Sequence, residues 1–259
     1  MKKEVVLLLI STLLVCSCSS SKRVSRDMNT LRSNLYYELT SKQYEGVIYD
    51  TIYMDFIDFS NMEYYTQVKR NGGYIIPLLI FNMQRTNFRT ILGEYSLTQT
   101  FREFLTEAML AECNSSTSFE LIDNKDSIYD TTNRYRLHLK VEHNETHGTL
   151  NHTGYLIMLP NINDEVEGEG GKVRPSSTKL SIHATLTCGD ETLLDKTYSV
   201  THKQSDTLRG FSSNYEVTAT CLDDMTQSLS LATKKIVELI SQELNMLTEG
   251  RRINVQSPS

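Results

Sequence analysis

The chain has 259 residues, of which 39% are hydrophobic and 22% are charged, and its formal net charge is −6. This length fits one domain with at most a short addition, and the apolar fraction is sufficient for a core. An acidic chain lacks the basic footprint of a nucleic-acid binder, so we expect no nucleic acid among its partners. The composition also excludes collagen, a coiled coil and a polytopic membrane protein.

The first residues have the features of an export signal. Met1–Lys3 is basic, and the apolar run Val5–Val15 follows it. Eleven residues of helix rise about 16 Å, roughly half of a bilayer's hydrocarbon core, so this run is too short to span a membrane. The residues that follow are Cys16, Ser17 and Cys18, and then three serines, instead of the usual small-residue cleavage site.

The stretch from Val15 to Cys18 resembles the lipobox of bacterial lipoproteins, in which an aliphatic, a variable and a small residue precede the lipid-modified cysteine. The resemblance implies a signal peptide at 1–17, diacylglycerol on Cys18 and a lipidated tether at 18–30. Modification of Cys16 would instead place Val15 in the small-residue position. Since several acyl chains anchor a protein stably, we expect a membrane partner through the lipid anchor. The expected location is the bacterial cell envelope, at the outer membrane; a plain secretory signal is the alternative.

Three further cysteines remain in the mature chain, Cys113, Cys188 and Cys221. An odd number allows at most one intramolecular disulfide, which an exported compartment permits. Three buried thiols that act as small hydrophobic side chains are an equally good interpretation. No Cys-x-x-Cys pair is present, which argues against a zinc ribbon or a thioredoxin-like site.

Strand-like segments alternate with two amphipathic helices along the chain. Residues 31–73 predict a β-rich N-terminal extension. The pattern from Ser96 to Gln99 predicts a capping box that opens a first helix, and a second helix is expected from Thr220 to Leu247, with Gly250 just past its end. Alternating apolar residues predict strands at 135–141 and 180–186, and a hairpin whose turn is Cys188-Gly189-Asp190-Glu191.

These elements predict an α+β domain over residues 74–248, a two-layer sandwich with a mainly antiparallel sheet and both amphipathic helices on one face. Residues 161–177 contain four carboxylates among three glycines and predict a mobile acidic loop. Residues 249–259 are expected to form a C-terminal tail. The arrangement resembles the auxiliary lipoproteins of ABC-type transporters and the lipoprotein partner of the pore that exports lipopolysaccharide. That resemblance implies an envelope protein complex as a partner.

Four histidines lie within fifteen residues, and three of them, His143, His147 and His152, are weak candidates for metal ligands. A zinc hydrolase motif would need Glu directly after the first His of an i, i+4 pair on a helix, but Asn144 holds that position on a predicted strand. No nucleophile elbow, phosphate-binding loop or dinucleotide motif is present. We therefore expect no enzyme activity, no cofactor and no resident metal, with a metal-dependent hydrolase as the minor alternative.

Four tripeptides of Asp, Ser or Thr, and an aliphatic residue or Thr resemble the O-glycosylation acceptor of some Gram-negative gut bacteria. The residues that would be modified are Thr51, Ser127, Thr131 and Thr207. Four ordinary turns are the competing interpretation.

The first functional hypothesis from the sequence is a non-enzymatic, lipid-anchored accessory or docking subunit of an envelope transport or assembly complex. A glycan- or lipid-binding envelope lipoprotein is the alternative, and it predicts a pocket with apolar and Tyr side chains.

Overall fold

The computed structural model belongs to the α+β class. It describes residues 30–39, 43–60, 62, 66–71, 74–76, 79–92, 96–124, 134–157, 166–205, 209–211 and 214–255. These residues form a nine-stranded mixed sheet and two long helices. The strands are β1 Asp50–Met54, β2 Thr66–Asn71, β3 Tyr74–Ile76, β4 Leu79–Thr90, β5 Phe119–Asp123, β6 Tyr135–Ile157, β7 Val166–Cys188, β8 Glu191–Lys203 and β9 Arg209–Phe211. The helices are α1 Phe101–Ser116 and α2 Asn214–Val255.

The sheet is organised around β6 and β7, which have 23 residues each and pair along their full length. One edge of β6 is shared by β1 at its start and β4 at its end. The far edge of β7 pairs with β8 and β9, and β4 also pairs with β2 and β3. All of these pairs are antiparallel except β1–β5 and β1–β6, which are parallel. The sheet is therefore mostly antiparallel, as the sequence predicts, with a parallel insertion.

Residues 31–73, predicted as a β-rich N-terminal extension, contribute β1 and β2 to the same sheet as the rest of the chain. Strand β1 lies between β5 and β6, and its side chains Ile52 and Met54 are fully buried. Strand β2 pairs with β4 over six residues. Because a strand with two paired edges and two core side chains cannot be removed without opening the sheet, this segment is part of the domain.

The acidic segment 161–177 is also misassigned by its composition. Residues 158–165 lie outside the described part of the chain, but β7 begins at Val166 and continues through the rest of the segment. Its backbone pairs with β6 from Val166, opposite Ile157, to Ser177, opposite His147. The backbone hydrogen bonds between strands need no particular side chain. Pairing with the long strand β6 therefore gives this segment a strand conformation, although its composition predicts a loop.

The predicted hairpin is confirmed. Cys188 pairs with Glu191, and Gly189 in the connecting turn has a φ of 58°. Glycine adopts this left-handed conformation without the steric cost that a Cβ would impose.

A bulge reverses the side-chain alternation of β6. Leu137, Leu139 and Val141 are buried before the register shift between Val141 and His143, and Thr146 and Leu150 are buried after it. Helix α2 packs against β6, β7 and β8 on this buried side. The approach is so close at Gly148 that an added Cβ would lie 2.4 Å from Met225 Sδ. Within the described residues, no helix is both long and apolar enough to cross a membrane.

Helix α1 begins four residues later than predicted. Its capping box uses Thr100, whose Oγ1 accepts from the Glu103 amide at 3.2 Å, while the Thr100 amide donates to Glu103 Oε2. The earlier Ser96 has another role, because its carbonyl accepts a hydrogen bond from the Ser33 amide at 3.0 Å. The predicted apolar face is buried as expected, at Phe101, Phe104, Leu105 and Ala108.

Helix α2 is longer than predicted at both ends, with 42 residues from Asn214 to Val255. The predicted stripe is buried at Leu222, Met225, Leu229, Ala232, Ile236 and Ile240. The expected C-terminal tail at 249–259 is therefore wrong as far as Val255, since Gly250 lies inside the helix with no neighbouring atom within 4 Å of an added Cβ. A glycine after an apolar stripe indicates a helix end, but the helix here continues through it.

The N-terminal strap, which we define as residues 30–39, crosses the helices. Ser33 Oγ donates to Asp223 Oδ1 at 2.7 Å, and the Tyr36 amide donates to Ser230 Oγ at 3.2 Å. Tyr37 OH donates to Glu112 Oε2 on α1 at 2.9 Å. Burial and the nearby Glu112 charge raise the pKa of the Tyr37 hydroxyl, so it remains a hydrogen-bond donor. The strap thus ties both helices together before the chain enters β1.

Replacement of Gly250 distinguishes the observed helix from the predicted helix end. We expect Gly250→Ala to stabilise the protein by about 0.5–1 kcal/mol, because alanine has the higher helix propensity and the added methyl meets no atom. The measurement is urea unfolding of both proteins. A loss of stability would indicate instead that residue 250 has the left-handed conformation of a helix cap.

A clamp between β8 and α2 predicts acid sensitivity. Glu243 accepts hydrogen bonds from Lys196 Nζ and from Tyr198 OH, which lower its pKa. A carboxylate with a lowered folded-state pKa stabilises the protein above its unfolded-state pKa, and that contribution is lost as the pH falls through the folded-state value. We expect unfolding free energy to fall less between about pH 7 and about pH 3 in Glu243→Gln than in the wild type.

The matched control for this clamp is Glu142→Gln. Glu142 is exposed and makes no ion pair among the described residues. If the unfolding free energy of Glu243→Gln decreases at low pH as much as that of the control and the wild type, the clamp does not contribute to stability.

Candidate interaction surface

The side of the sheet that faces away from α2, which we call the open face, is polar along the described strands. Residues directly opposite each other on neighbouring strands share a face, so the register assigns the open face position by position. Arg89 lies opposite His147, which lies opposite Ser177; Asn87 lies opposite Thr149. Thr149 Oγ1 donates to Asn87 Oδ1 at 3.1 Å on this side.

Glu145 is the most enclosed charge of the open face. Its side chain is 8% exposed, and its two oxygens face different partners. Arg89 Nε lies 2.6 Å from Oε2, and His147 Nε2 lies 2.6 Å from Oε1. A carboxylate with a cation on one oxygen and an imidazole on the other has a fixed position, and it orients the Arg89 guanidinium.

Ion pairs continue along the face towards β1 and β8. Arg136 Nη2 lies 2.9 Å from Asp55 Oδ1, and Lys140 Nζ lies 4.0 Å from Asp58 Oδ2. Hydrogen bonds from the backbone and side chain of Ser60 lower the pKa of Asp58. On the β7–β8 side, His183 Nε2 lies 2.8 Å from Asp195 Oδ1. Each of these partners is partly exposed, so the pairs order the surface more than they stabilise the fold.

A second group of charges on the open face makes no ion pair among the described residues. The group consists of Lys69 on β2, Arg85 on β4, and Lys172, Arg174 and Lys179 on β7, all of which are exposed. Together with Arg89 they place six cations around the carboxylate of Glu145. We call these six residues the basic rows, because the register aligns them in adjacent rows across β2, β4, β6 and β7.

The three candidate metal ligands all lie on β6, and the side chain of His152 lies outside the described part of the structure. His143 lies opposite Ser181, His147 is bound to Glu145, and His152 lies opposite Gln84 and Gly171. No group of three or more His, Cys, Asp or Glu side chains that could hold a metal ion occurs among the described residues.

The predicted modification sites are distributed unevenly. Cys18, Ser127, Thr131 and Thr207 lie outside the described residues. Thr51 is half-buried in β1, opposite Glu120 of β5. An enzyme that glycosylates Thr51 would therefore have to act before β1 is enclosed in the sheet.

All three cysteines of the globular part are free thiols. Cys113 and Cys221 are fully buried, and burial raises the pKa of each thiol to about 12. They act as small hydrophobic side chains, one of the two alternatives that the sequence leaves open. Cys188 is half-buried at the end of β7.

Two smaller surface features lie away from the open face. An open depression of about 350 Å³ is lined by Arg32, Ser33, Asn34, Tyr36, Asp223 and Gln227, where the strap meets α2. Phe56 is 65% exposed, and the guanidinium of Arg102 stacks on its ring at 4.0 Å and on the ring of Phe59 at 4.9 Å. Such cation–π contacts hold an exposed aromatic in place.

The basic rows are the surface feature that the sequence analysis did not predict. Their signal is visible in the alternation of Arg85, Asn87 and Arg89, and of Lys172 and Arg174 around Val173. The overall charge of −6 hides it, because net charge says nothing about how charges are distributed between surfaces.

Comparisons with known proteins give little further information. No protein-family profile matches the chain, and no curated protein matches it. Among solved structures, the chain is similar to a Xanthomonas campestris protein of the DUF330 family, with 11% identity and a TM-score of 0.40. The match covers 82% of this chain and 95% of that one. Similarity at this level identifies neither a shared fold nor a shared function.

The enclosed position of Glu145 predicts a measurable contribution to stability. We expect Glu145→Gln to destabilise the protein by about 1 kcal/mol, because Arg89 loses a charged partner at a nearly buried site. Asp195→Asn is the matched control, since Asp195 is 66% exposed in its pair with His183, and its effect should stay within about 0.5 kcal/mol. Equal effects in urea unfolding would contradict the central role of Glu145.

Proposed function

We propose that this protein is a lipid-anchored lipoprotein of the bacterial cell envelope that acts as a non-enzymatic accessory or docking subunit, and that the open face is its docking surface. The observation that carries the proposal is the asymmetry of the sheet. Helix α2 covers one side of β6, β7 and β8, whereas the other side presents an ordered array of charged and hydrogen-bonding side chains.

The proposal includes a two-layer sandwich, in which both helices cover the same side of the sheet. In support, α1 packs against β5 and α2, and α2 packs against the neighbouring strands of the same sheet. Their buried faces meet one continuous core. A domain of this kind has one free sheet face, which antiparallel sheets tolerate when that face is polar.

The position of the strap supports a defined orientation relative to the membrane. Cys221 and Met225 face the sheet at Gly148, and Asp223 is two residues from each, which places it about 200° around the helix. Since Ser33 binds Asp223, the strap lies on the side of α2 opposite the sheet. We propose that the tether from Cys18 approaches from this helix side, so that the open face is directed away from the membrane.

A glycan-binding lipoprotein is the second candidate. The hydroxyl, amide and imidazole groups that lie between the charges of the open face, as at Thr149, Asn87 and His147, are the groups that bind sugar hydroxyls. A lipid ligand would need an apolar cavity, and the depression beside the strap is lined by polar residues with one tyrosine.

Membrane fractionation and affinity capture test the anchor and the docking role together. We expect the wild type to be recovered from gently solubilised envelopes with other envelope proteins, and Cys18→Ala to be lost from the membrane fraction and to lose those partners. Cys16→Ala is the matched control and should behave as the wild type.

Each contrary outcome has a distinct meaning. Loss of anchoring in Cys16→Ala alone would move the lipid to Cys16. Anchoring that survives both substitutions would contradict the lipobox. An anchored protein that captures no partner would contradict the docking role and favour the glycan-binding candidate.

A further inference from the structure

We infer that the basic rows of the open face bind an acidic polysaccharide. The inference deepens the glycan-binding candidate, and it rests on the proposed function only in that the open face must point away from the anchoring membrane. The basic rows are a local positive charge on a chain whose net charge is negative.

The basic rows form a compact, flat array. Lys179 lies opposite Glu145, Arg89 lies opposite His147, and Lys69 lies opposite Asn87. Neighbouring strands are about 4.8 Å apart and alternate residues about 6.8 Å apart, so six cations occupy roughly 14 Å by 20 Å. A surface of this shape can contact several charged sugars of one chain at once.

The charge balance of the array is strongly positive. Glu145 lies at its centre and is already bound by Arg89 and His147, and the exposed Glu142 is three residues away on β6. Five cations have no ion pair within the described part of the chain: Lys69, Arg85, Lys172, Arg174 and Lys179. Like charges at this spacing repel one another, so an anionic ligand that neutralises them is favoured over any neutral ligand.

The side chains between the cations suit a polysaccharide. Amide, hydroxyl and imidazole side chains lie between the charges, as at Asn87, Thr149 and His147, and these groups bind sugar hydroxyls. A flat sheet face enters no groove of a nucleic-acid duplex.

An anionic bilayer is the other flat polyanion, and the strap argues against it. The strap binds the side of α2 opposite the sheet, so the tether begins about 20 Å from the open face, across one helix layer and the sheet. In the proposed orientation the helix side is nearer to the anchoring membrane, and the basic rows are directed at material beyond it.

The test measures binding of the full-length lipidated protein, held in a neutral detergent, to immobilised polygalacturonate. Dextran is the neutral polysaccharide, phosphatidylglycerol vesicles represent a bilayer, and a single-stranded oligonucleotide represents nucleic acid. The variant is the triple substitution Arg85→Gln, Lys172→Gln and Arg174→Gln, which removes three of the six cations of the basic rows.

The matched control is the triple substitution Arg32→Gln, Arg134→Gln and Lys235→Gln. It removes the same charge from exposed positions away from the basic rows. Arg32 lies in the strap and Lys235 on α2, and Arg134 directly precedes β6, roughly 40 Å along that strand from His147.

We expect binding to polygalacturonate and not to dextran, with affinity that falls as salt is added. The triple variant should bind at least about tenfold more weakly, and the control should stay within about twofold of the wild type. The charge-conserving triple Arg85→Lys, Lys172→Arg and Arg174→Lys should retain binding, which separates loss of charge from loss of fold.

Three results would overturn the inference. The first is no binding to polygalacturonate. The second is an equal loss of affinity in the triple variant and in the control, which would show that only the net charge of the protein matters. The third is tighter binding to the vesicles or to the oligonucleotide than to the polysaccharide. Cys18→Ala should bind polygalacturonate as the wild type does, so failure of the anchor and failure of the basic rows are read from different experiments.

Discussion

The antiparallel pairing of β6 with β7 is the constraint on which the rest of the structure depends. Each strand has 23 residues, and the outer edges of this pair bind β1 and β4 on one side and β8 and β9 on the other. Helix α2, with 42 residues, packs along this ladder on one side only. The same pairing therefore determines which side chains enter the core and which form the open face, and the charge pattern of that face depends on the register.

The bulge in β6 keeps apolar and small residues directed towards α2 on both sides of Val141. Without the extra residue after Val141, the positions that now face α2 near Gly148 would be directed to the open face. Beyond the bulge the interior becomes more polar: Thr146 and Thr178 bond to each other at 3.0 Å. On α2, Thr226 and Thr233 bond the carbonyls four residues earlier, so these buried hydroxyls are satisfied locally.

Local patterns in the sequence predicted what local physics controls. The amphipathic stripes of both helices and the hairpin at Gly189 depend on residues close in the chain, and the structure has them. The errors arose where distant residues decide. Ser96 bonds Ser33 and so cannot begin α1, β1 is enclosed by strands far from it in sequence, and a composition typical of loops became strand against a long partner. The basic rows needed the register, which no single segment contains.

The distribution of charge follows from the same layering. On the helix side, Asp223 and Glu112 are used to hold the strap, so carboxylates there serve the fold. On the open face, the carboxylates Asp55, Asp58 and Asp195 each have a basic partner, and the cations of the basic rows exceed them. Surface cations that repel one another cost stability. In this fold the cations lie together on one flat, uncovered sheet face. The cost in stability therefore falls at a surface that is suited to an anionic ligand.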